Sequence, residues 1–279
     1  MNSCFIILAG GESKRFNSKI PKPYQLYKNK PLLLYSIEKA KNYGKFSKII
    51  IVINKKHKSY IKKLKIKNIK IITGGKSRAE SAYKALQNIK SYNIKNVLIH
   101  DAARPNFSLK LLDRLNKELK LNDCVIPAIQ SADSIKQKSL NIVTNLKRKD
   151  IYLIQTPQAF NYKKLYELQK NQSIEITDDA SLFVKAGKKI KIIKGEVNNN
   201  KITINSDIKV NNSIKYGLGF DVHRLVPNKK LYLGGIKIPS SLGTLGHSDG
   251  DPVLHAVADA ILGACEMGDI GEKFSDKNK

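Results

Sequence analysis

Short apolar runs alternate with amphipathic, helix-length segments through the first two hundred residues. Five of the runs have the length and continuity of strands buried on both faces, at 4–8, 48–53, 69–72, 97–99 and 124–129. Three of the segments between them repeat apolar residues at helical spacing, at 31–40, 78–89 and 109–119. Because strands that alternate with helices form a parallel sheet covered on both faces, the predicted fold class is α/β with a mostly parallel sheet.

Three loops that are rich in glycine or charged residues each follow one of these strands, at 9–22, 74–81 and 100–106. In open parallel sheets the ligand lies beyond the carboxyl ends of the strands. We therefore expect the three loops to converge on one crevice at that edge of the sheet.

The first loop has the composition of a phosphate-binding turn. Gly10 and Gly11 offer backbone N–H groups to phosphate oxygens, and Arg15 and Lys22 are two cations that could clamp a triphosphate. Neither the G-x-x-x-x-G-K-[ST] pattern nor the G-x-G-x-x-G pattern is present in the loop. A Gly-Gly turn taken alone is weak support, because most such turns are only turns.

The chain carries a large positive charge, with 51 Lys and Arg against 23 Asp and Glu and a formal net charge of +28. A nucleic-acid-binding protein is one reading of that charge. Only six of the basic residues are arginines, however, and the lysines are spread along the chain beside abundant Asn and Ile. Codon bias and a solvated surface explain this pattern better, so we expect small anionic substrates and no nucleic acid or membrane partner.

The termini and cysteines indicate a cytoplasmic protein. No charged segment precedes the first apolar run, and no run approaches the ~18 apolar residues of a membrane span. Cys4, Cys124 and Cys265 lie far apart in the sequence, which favours free thiols over a disulfide framework or a metal cluster.

The later part of the chain divides into an arm, a linker and a second domain. Residues 131–155 are polar with scattered apolar positions and predict a hairpin that projects from the sheet. Residues 177–186 are expected to be helical, with Asp178 and Asp179 at the helix start, where helix capping is favoured for both over a catalytic role. Residues 201–204 are expected to be a closing strand. We place a first domain at 1–208, a linker at 209–215 and a glycine-rich second domain at 216–279.

Two histidines of the first domain are assigned no chemistry. We expect His100 to be structural and His57, which lies among lysines, to be at the surface.

The second domain contains a candidate metal site. Asp221 and His223 are two apart, so a strand would point both side chains to one face. His255 lies on a predicted helix over 253–264 that begins after Pro252. One oxygen and two nitrogen donors with an open fourth position are typical of catalytic zinc, although a D-x-H pair taken alone is as often structural.

The motifs of the first domain, taken together, resemble a known family. The stretch LAGGESKRF, followed by PKPY, is similar to the signature of the sugar-type nucleotidyltransferases. GGKSRAES, HDAARP and ITDDAS narrow the resemblance to the 2-C-methyl-D-erythritol 4-phosphate cytidylyltransferases, over residues 1–208. The resemblance implies a Rossmann-like fold and a Mg²⁺-dependent transfer of CMP from CTP to methylerythritol phosphate, with pyrophosphate leaving, in non-mevalonate isoprenoid precursor synthesis.

The resemblance also implies roles for single residues. Arg15 and Lys22 match the pair that stabilises the triphosphate and the transition state. The positions that match nucleotide contacts are Ala9, Gly10, Gly11, Gly75 and Ser81. The positions that match acceptor contacts are Asp101, Arg104, Ser134, Arg148 and Lys201, of which Arg148 and Lys201 are also implied in catalysis. Asp101 is implied in hydroxyl contacts or water-mediated metal binding, and the arm that bears Ser134 and Arg148 is implied to come from a neighbouring subunit.

The second domain resembles the N-terminal part of the 2-C-methyl-D-erythritol 2,4-cyclodiphosphate synthases. The strings that carry the resemblance are GFDVHRL, LGHSDGDPVLHAVADAILGA and GDIGEKF, over residues 216–279. It implies that Asp221, His223 and His255 bind zinc or a similar divalent cation. The other implied site residues are His247 as a catalytic group and Ser248, Asp269 and Gly271 as substrate contacts. The implied reaction cyclises 4-diphosphocytidyl-2-C-methyl-D-erythritol 2-phosphate with release of CMP, at sites between the subunits of a trimer.

With these two resemblances in this order, the chain is similar to the fused bifunctional enzymes of some bacteria. The second domain of this chain is expected to be shorter than theirs. We therefore expect the first activity to be present and the second to be absent unless the missing part is supplied. Three alternatives stay open, namely a nucleotidyltransferase for another sugar or polyol phosphate, a nucleic-acid-binding protein, and a second domain that serves only oligomerisation.

Overall fold

The apolar runs form the centre of an eight-stranded sheet in a computed structural model. The model describes residues 2–11, 16, 18–140, 142–170, 176–204, 206–209, 215–245 and 250–273. Contacts between Cα atoms divide the chain into two units, Met1–Asn211 and Asn212–Lys279.

The first unit alternates strands and helices. Its strands are β1 (Ser3–Ala9), β2 (Leu26–Tyr27), β3 (Lys30–Pro31), β4 (Lys48–Ile53), β5 (Lys70–Thr73), β6 (Asn96–Asp101), β7 (Cys124–Gln130), β8 (Lys136–Ser139), β9 (Ile142–Asn145), β10 (Tyr152–Ile154), β11 (Gln158–Asn161) and β12 (Lys191–Lys194). Its α-helices are α1 (Leu32–Tyr43), α2 (Lys58–Lys63), α3 (Arg78–Asn88), α4 (Leu109–Glu118), α5 (Tyr162–Lys170), α6 (Ser181–Lys185) and α7 (Ser206–Lys209). The predicted α/β class with a mostly parallel sheet is confirmed.

The order of the sheet is β10-β7-β11-β6-β1-β4-β5, with β12 paired to β7. Strands β5, β4, β1 and β6 are mutually parallel, whereas β11 is antiparallel to both β6 and β7. The register pairs Leu8 with Val52 on one side and with Asp101 on the other. The central strands therefore end at the same level, and the loops that follow them start from one edge.

Two apolar layers cover the two faces of the sheet. Phe5 and Ile7 of β1 pack in the layer that contains α1 and α4. Cys4 and Ile6 of the same strand pack in the layer that contains α3 and α5. Because successive side chains of a strand point to opposite faces, a strand covered on both sides needs an unbroken apolar run. This explains why the strand pattern in the sequence is continuous rather than alternating.

Three local expectations are wrong. Residues 201–204 do not form a strand, because the segment crosses the carboxyl edge of the sheet, where Ile202 N donates to Ala103 O at 2.9 Å. The helix expected over 177–186 is shorter and begins at Ser181. His57 is 6% exposed rather than at the surface, since its ring packs against Tyr24 and Tyr60.

The segment 131–155 contains the hairpin of β8 and β9. Every residue of the two strands is exposed, including Ile142 and Val143. A hairpin with apolar side chains open to solvent has no core of its own to bury them.

The second unit contains two short hairpins and a helix. Its elements are β13 (Leu225–Pro227), β14 (Leu231–Leu233), β15 (Ile236–Ile238), β16 (Leu242–Thr244), α8 (Pro252–Ala264) and α9 (Ile270–Lys273). β13 pairs with β16 and β14 pairs with β15, both antiparallel. No residue of α8 is buried, and its apolar side chains Leu254, Val257 and Ile261 are about half exposed.

The segment 215–224 runs against α8 without forming a strand. A Cβ atom on Gly217 would lie 1.8 Å from Ala260 O, and one on Gly219 would lie 1.7 Å from Ala256 O. Glycine at these alternate positions therefore lets the backbone of the segment contact the backbone of the helix. The strand expected for Asp221 and His223 is wrong, although the segment brings both residues beside α8.

In the part of the chain that the structure describes, no helix has both the length and the hydropathy needed to cross a membrane.

Candidate active site and metal site

The loops after β1, β5 and β6 border one cavity of about 300 Å³. The predicted site residues that line it are Ala9, Gly10, Gly11, Lys22, Gly75, Ser81, Asp101 and Lys201. The expected convergence of the three loops at the carboxyl edge is therefore observed. Arg15, which was expected to work with Lys22, lies outside the described residues.

The loop after β5 is fixed by the start of α3. Ser77 caps the helix, because its hydroxyl accepts from Glu80 N at 3.0 Å. Ser81 Oγ donates to Ser77 O at 2.8 Å and accepts from Gly75 N at 3.0 Å. The Ser81 hydroxyl thus holds the loop in shape, and the N-terminus of α3 faces the cavity with the partial positive charge that favours anions.

Two lysines bring the segment 201–202 over the cavity. Lys22 Nζ donates to Ile202 O at 3.0 Å, and Lys201 Nζ contacts Asp101 Oδ2 at 2.6 Å. Lys22 is the last residue of the first loop, whereas Lys201 comes from the far end of the first unit. The two ammonium groups therefore reach the same cavity from opposite ends of the first unit.

Asp101 is the electrostatic centre of the site. Arg78 Nε contacts its Oδ1 at 3.2 Å and Lys201 Nζ contacts its Oδ2, while the carboxylate side chain is 13% exposed. Burial alone would raise the pKa of Asp101, but the charges of Arg78 and Lys201 outweigh it and hold the pKa well below its usual range. Asp101 is therefore ionised throughout the neutral range.

His100 holds the backbone on both sides of Asp101. Its Nε2 lies 3.1 Å from Arg104 O, which can only accept, so Nε2 carries the proton. Its Nδ1 then accepts from Thr156 Oγ1 at 3.1 Å, and that hydroxyl accepts from Asp101 N at 3.0 Å. Burial lowers the pKa of His100 to about 3, so the ring stays neutral and structural, as expected from the sequence.

Arg104 borders a neighbouring cavity of about 510 Å³, which shares Arg78, Asp101 and Lys201 with the first. Its guanidinium donates to Asn199 O at 2.8 Å and to Ile154 O at 3.2 Å. In this chain Arg104 therefore anchors the segment that leads to Lys201.

The two arm residues are not brought to either cavity of their own chain. Ser134 and Arg148 are both exposed, and Arg148 Nη1 donates to Ala132 O at 2.9 Å.

The sequence reading missed Arg78 and misassigned Asp179. Arg78 Nη1 contacts Asp179 Oδ2 at 2.7 Å, and the Asp179 side chain is 0% exposed. Helix capping was the role expected for both Asp178 and Asp179, but only Asp178 has it, with Oδ1 accepting from Ser181 N at 3.0 Å. Arg78 lies in the string GGKSRAES and Asp179 in the string ITDDAS, but neither string indicates that the two side chains form an ion pair.

Asp221, His223 and His255 form a compact donor cluster in the second unit, with one ligand atom from each within 4.8 Å of the others. Asp221 Oδ2 lies 2.8 Å from His223 Nε2 and 2.9 Å from His255 Nδ1. His223 Nδ1 lies 3.1 Å from Leu245 O, which can only accept and therefore fixes the proton on Nδ1. In the neutral ring, Nε2 then faces Asp221 as a second acceptor, so a proton or a metal ion is needed between them.

The pKa of His223 is raised and that of Asp221 is lowered, and both shifts favour a positive charge between the two side chains. The hydrogen bond to Leu245 O and then the Asp221 carboxylate raise the pKa of His223. Burial would raise the pKa of Asp221, but the hydrogen bonds from His255 and His223 lower it overall. The donor set of one carboxylate and two imidazoles is one that zinc accepts.

The other predicted residues of the second unit are not joined to this cluster. His247 and Ser248 lie outside the described residues. Asp269 Oδ1 accepts from Glu272 N at 2.8 Å, which caps α9, and Gly271 lies in that short helix.

Comparison with known proteins identifies similar chains for both units. The family model of 2-C-methyl-D-erythritol 4-phosphate cytidylyltransferase matches residues 3–215, and the YgbB family model matches residues 214–279. The bifunctional enzyme IspD/IspF of Pelagibacter ubique is 80% identical over 279 residues, which is 100% of this chain and 75% of that protein. The enzyme of the same description from Campylobacter jejuni strain RM1221 is 40% identical over 97% of this chain and 72% of that protein.

Solved structures of bifunctional and single-domain enzymes are also similar to this chain. The structure of the bifunctional IspDF from Campylobacter jejuni has a TM-score of 0.67 and 38% identity, and the match covers 100% of this chain and 74% of that one. The 4-diphosphocytidyl-2C-methyl-D-erythritol synthase from Anaerococcus prevotii has a TM-score of 0.68 and 30% identity, over 76% of this chain and 94% of that one.

A methyl group at Gly219 should weaken metal binding by the second unit. In Gly219→Ala the new Cβ would meet Ala256 O, so the segment must move from α8 and carry Asp221 away from His255. We expect zinc affinity, measured by competition with a chromogenic chelator, to fall about tenfold or more, the scale found when ligand positioning is lost.

Gly263→Ala is the matched control, since a Cβ atom there would meet nothing within 4 Å. Equal zinc affinity in both variants and the unaltered chain would contradict the assignment of Asp221, His223 and His255 as ligands.

Proposed function

Since the chain belongs to the bifunctional IspD/IspF enzymes, we propose that its described cavity is where CMP passes from CTP to 2-C-methyl-D-erythritol 4-phosphate. The first unit is the cytidylyltransferase of non-mevalonate isoprenoid precursor synthesis, and pyrophosphate is its second product. The second unit belongs to the YgbB family and is part of a cyclodiphosphate synthase, a metal-dependent lyase. We take 1–208 as the first domain, 209–215 as the linker and 216–279 as residues of the second domain.

The observation that carries the proposal is the meeting of cations, backbone amides and one carboxylate at a single cavity. Transfer of a nucleotidyl group needs the attacking and leaving oxygens to be placed and the charge on the phosphates to be neutralised. Lys22, together with Arg15, faces the triphosphate in this proposal, and the backbone of the first loop and of Gly75 binds the nucleotide. A chain that holds these groups needs no covalent nucleophile.

The acceptor is assigned to the side of the cavity where Asp101 and Lys201 meet. A carboxylate that stays ionised accepts hydrogen bonds from polyol hydroxyls, and the Lys201 ammonium can bind the phosphate of the acceptor. Arg104 supports this arrangement because it holds the carbonyl groups of Ile154 and Asn199. The acceptor phosphate would then enter between two existing positive charges.

Magnesium fits the first site only through phosphates and water. Among the described residues, Asp101 is the one acid at the cavity, and both its oxygens already contact cations. Mg²⁺ is commonly held by phosphate oxygens, waters and few carboxylates. We therefore propose that Mg²⁺ arrives with the triphosphate, where it neutralises phosphate charge.

The second unit fits zinc or a similar divalent cation through Asp221, His223 and His255. A bound zinc ion supplies a Lewis acid for phosphate oxygens. Leu245 O orients the His223 ring for this role by accepting from Nδ1. His247, Ser248, Asp269 and Gly271 remain proposed contributors to the catalytic and substrate-binding loops of the complete domain.

We also propose a cytoplasmic homo-oligomer that uses small-molecule substrates. Ser134 and Arg148 line neither of the two cavities described above, which supports a dimer in which each arm serves the partner's site. A trimer through a complete second domain is proposed from the family alone. Recovery of the chain in the membrane fraction of lysed cells would contradict the cytoplasmic location.

Pyrophosphate release by the 279-residue chain tests the first activity. Release should require CTP, methylerythritol phosphate and Mg²⁺ together, and Lys22→Ala should lower kcat by about a hundredfold or more, the scale of one lost electrostatic contact in the transition state. Lys28→Ala, a matched change nearby, should release pyrophosphate normally. Release with another polyol phosphate but not with methylerythritol phosphate would favour the alternative acceptor.

Mixing two inactive variants tests the arm. If Arg148 serves the partner's cavity, chains with Arg148→Ala and chains with Lys22→Ala should regain activity once they exchange subunits. A random mixed dimer then has one intact site of two, so about a quarter of the unaltered activity should return. An arm that serves its own chain would give no recovery, which would contradict the shared-site dimer.

A further inference from the structure

Four charged side chains form a continuous row, and three of them, Arg78, Asp101 and Lys201, line both cavities. Asp179 contacts Arg78, Arg78 contacts Asp101, and Asp101 contacts Lys201. The three links measure 2.7, 3.2 and 2.6 Å. The signs alternate along the row, so the buried carboxylate of Asp179 and the largely buried carboxylate of Asp101 are balanced by one guanidinium and one ammonium.

Asp179 is the buried end of this row. Its side chain is 0% exposed, and it accepts from Arg78 Nη1 through Oδ2 and from Gln169 Nε2 through Oδ1 at 3.2 Å. Burial raises the pKa of Asp179, and the Arg78 charge opposes that effect. A carboxylate in this position needs its arginine, because removal of one partner of a buried ion pair leaves an uncompensated charge.

The N–H donors of Arg78 contact two different carboxylates, and this determines which oxygen of Asp101 is available to another cation. A guanidinium can grip a carboxylate with two parallel N–H donors and so occupy both oxygens. The parallel donor pairs of arginine are Nε with Nη2 and Nη1 with Nη2. Here Nη1 is directed to Asp179, and Arg78 contacts Asp101 through Nε, to Oδ1. Oδ2 of Asp101 is thereby left to Lys201.

We propose that Asp179 is a positioning residue for the acceptor side of the reaction. By holding Nη1 of Arg78, it fixes the orientation of the guanidinium at which a single donor, Nε, meets Oδ1 of Asp101. Oδ2 of Asp101 is then kept in contact with the Lys201 ammonium. The consequence for catalysis rests on the proposed function, in which Asp101 and Lys201 receive the polyol phosphate. The geometric consequence for Lys201 does not depend on it.

Asp179→Asn tests whether Asp179 controls the contact between Arg78 and Asp101, because the substitution keeps the shape of the side chain and removes its charge. The guanidinium of Arg78 is then free to rotate, and we expect it to meet both oxygens of Asp101 with two adjacent N–H donors and to displace Lys201. The KM for methylerythritol phosphate should rise about tenfold, the scale of one lost charge-assisted hydrogen bond, and the KM for CTP should change much less. Modification of Lys201 by acetic anhydride, followed by mass spectrometry, should become several-fold faster because a released ammonium is less protected.

A double variant separates this role from simple support of the fold. In Arg78→Gln with Asp179→Asn no guanidinium remains to compete, so Asp101 should again pair with Lys201. The KM for methylerythritol phosphate and the rate of Lys201 acetylation should both return toward the unaltered values. If Asp179 only stabilised the fold, the opposite result is expected. Two changes in one packed network should then alter the KM and the acetylation rate at least as much as one change does.

Asp113→Asn is the control, because Asp113 also contacts a lysine but lies away from both cavities. It should leave Lys201 acetylation unchanged. Unchanged acetylation and unchanged KM values in Asp179→Asn would overturn the proposal, and so would a double variant that is worse than Asp179→Asn in both. Lys201 acetylation needs no turnover, so a failure of pyrophosphate release in the unaltered chain would count against the proposed function alone.

Discussion

The contact of one buried carboxylate with two cations organises the first unit. Asp101 stands at the end of a central strand, where Arg78 approaches from the start of α3 and Lys201 from a segment a hundred residues later. An ionised carboxylate in such a place is costly unless it is paired. The same pairing that makes the burial tolerable brings both cations to the cavity, so stability and site geometry have a common cause.

The parallel sheet makes this contact possible. Register aligns the carboxyl ends of β1, β4 and β6, so the loops that follow them start at one level. His100 then fixes the peptide of Asp101 through Thr156 and the carbonyl of Arg104 through its other nitrogen. The second unit uses a comparable device, in which a backbone carbonyl orients His223 toward Asp221. In both places the backbone supports the side chain that carries the chemistry.

The sequence predicted those features that depend on short-range pattern. Continuous apolar runs indicated buried parallel strands, and strand ends indicated where the loops would meet. The row from Asp179 to Lys201 could not be read in the same way, because its members lie in four separate segments joined only by the fold. The strand expected at 201–204 failed for a related reason, since Ile202 packs in a cluster with Phe16, Tyr27 and Leu32 outside the sheet, and Ile204 is exposed. The arm residues Ser134 and Arg148 were found by resemblance, and their place in a shared site is still a prediction.

The pKa of Asp101 is the most direct test of this account. A chain with carbon-13 in its aspartate carboxyl groups can be titrated by NMR, with Asp101→Asn used to assign the signal. The paired carboxylate should titrate far below the ordinary aspartate value of about 3.9. Because the folded pKa is depressed, the stability that this group supplies is present above that ordinary value and is lost as the pH falls toward the folded pKa. A signal that titrates at or above about 4 would contradict the claim that Arg78 and Lys201 hold Asp101 ionised at the centre of the site.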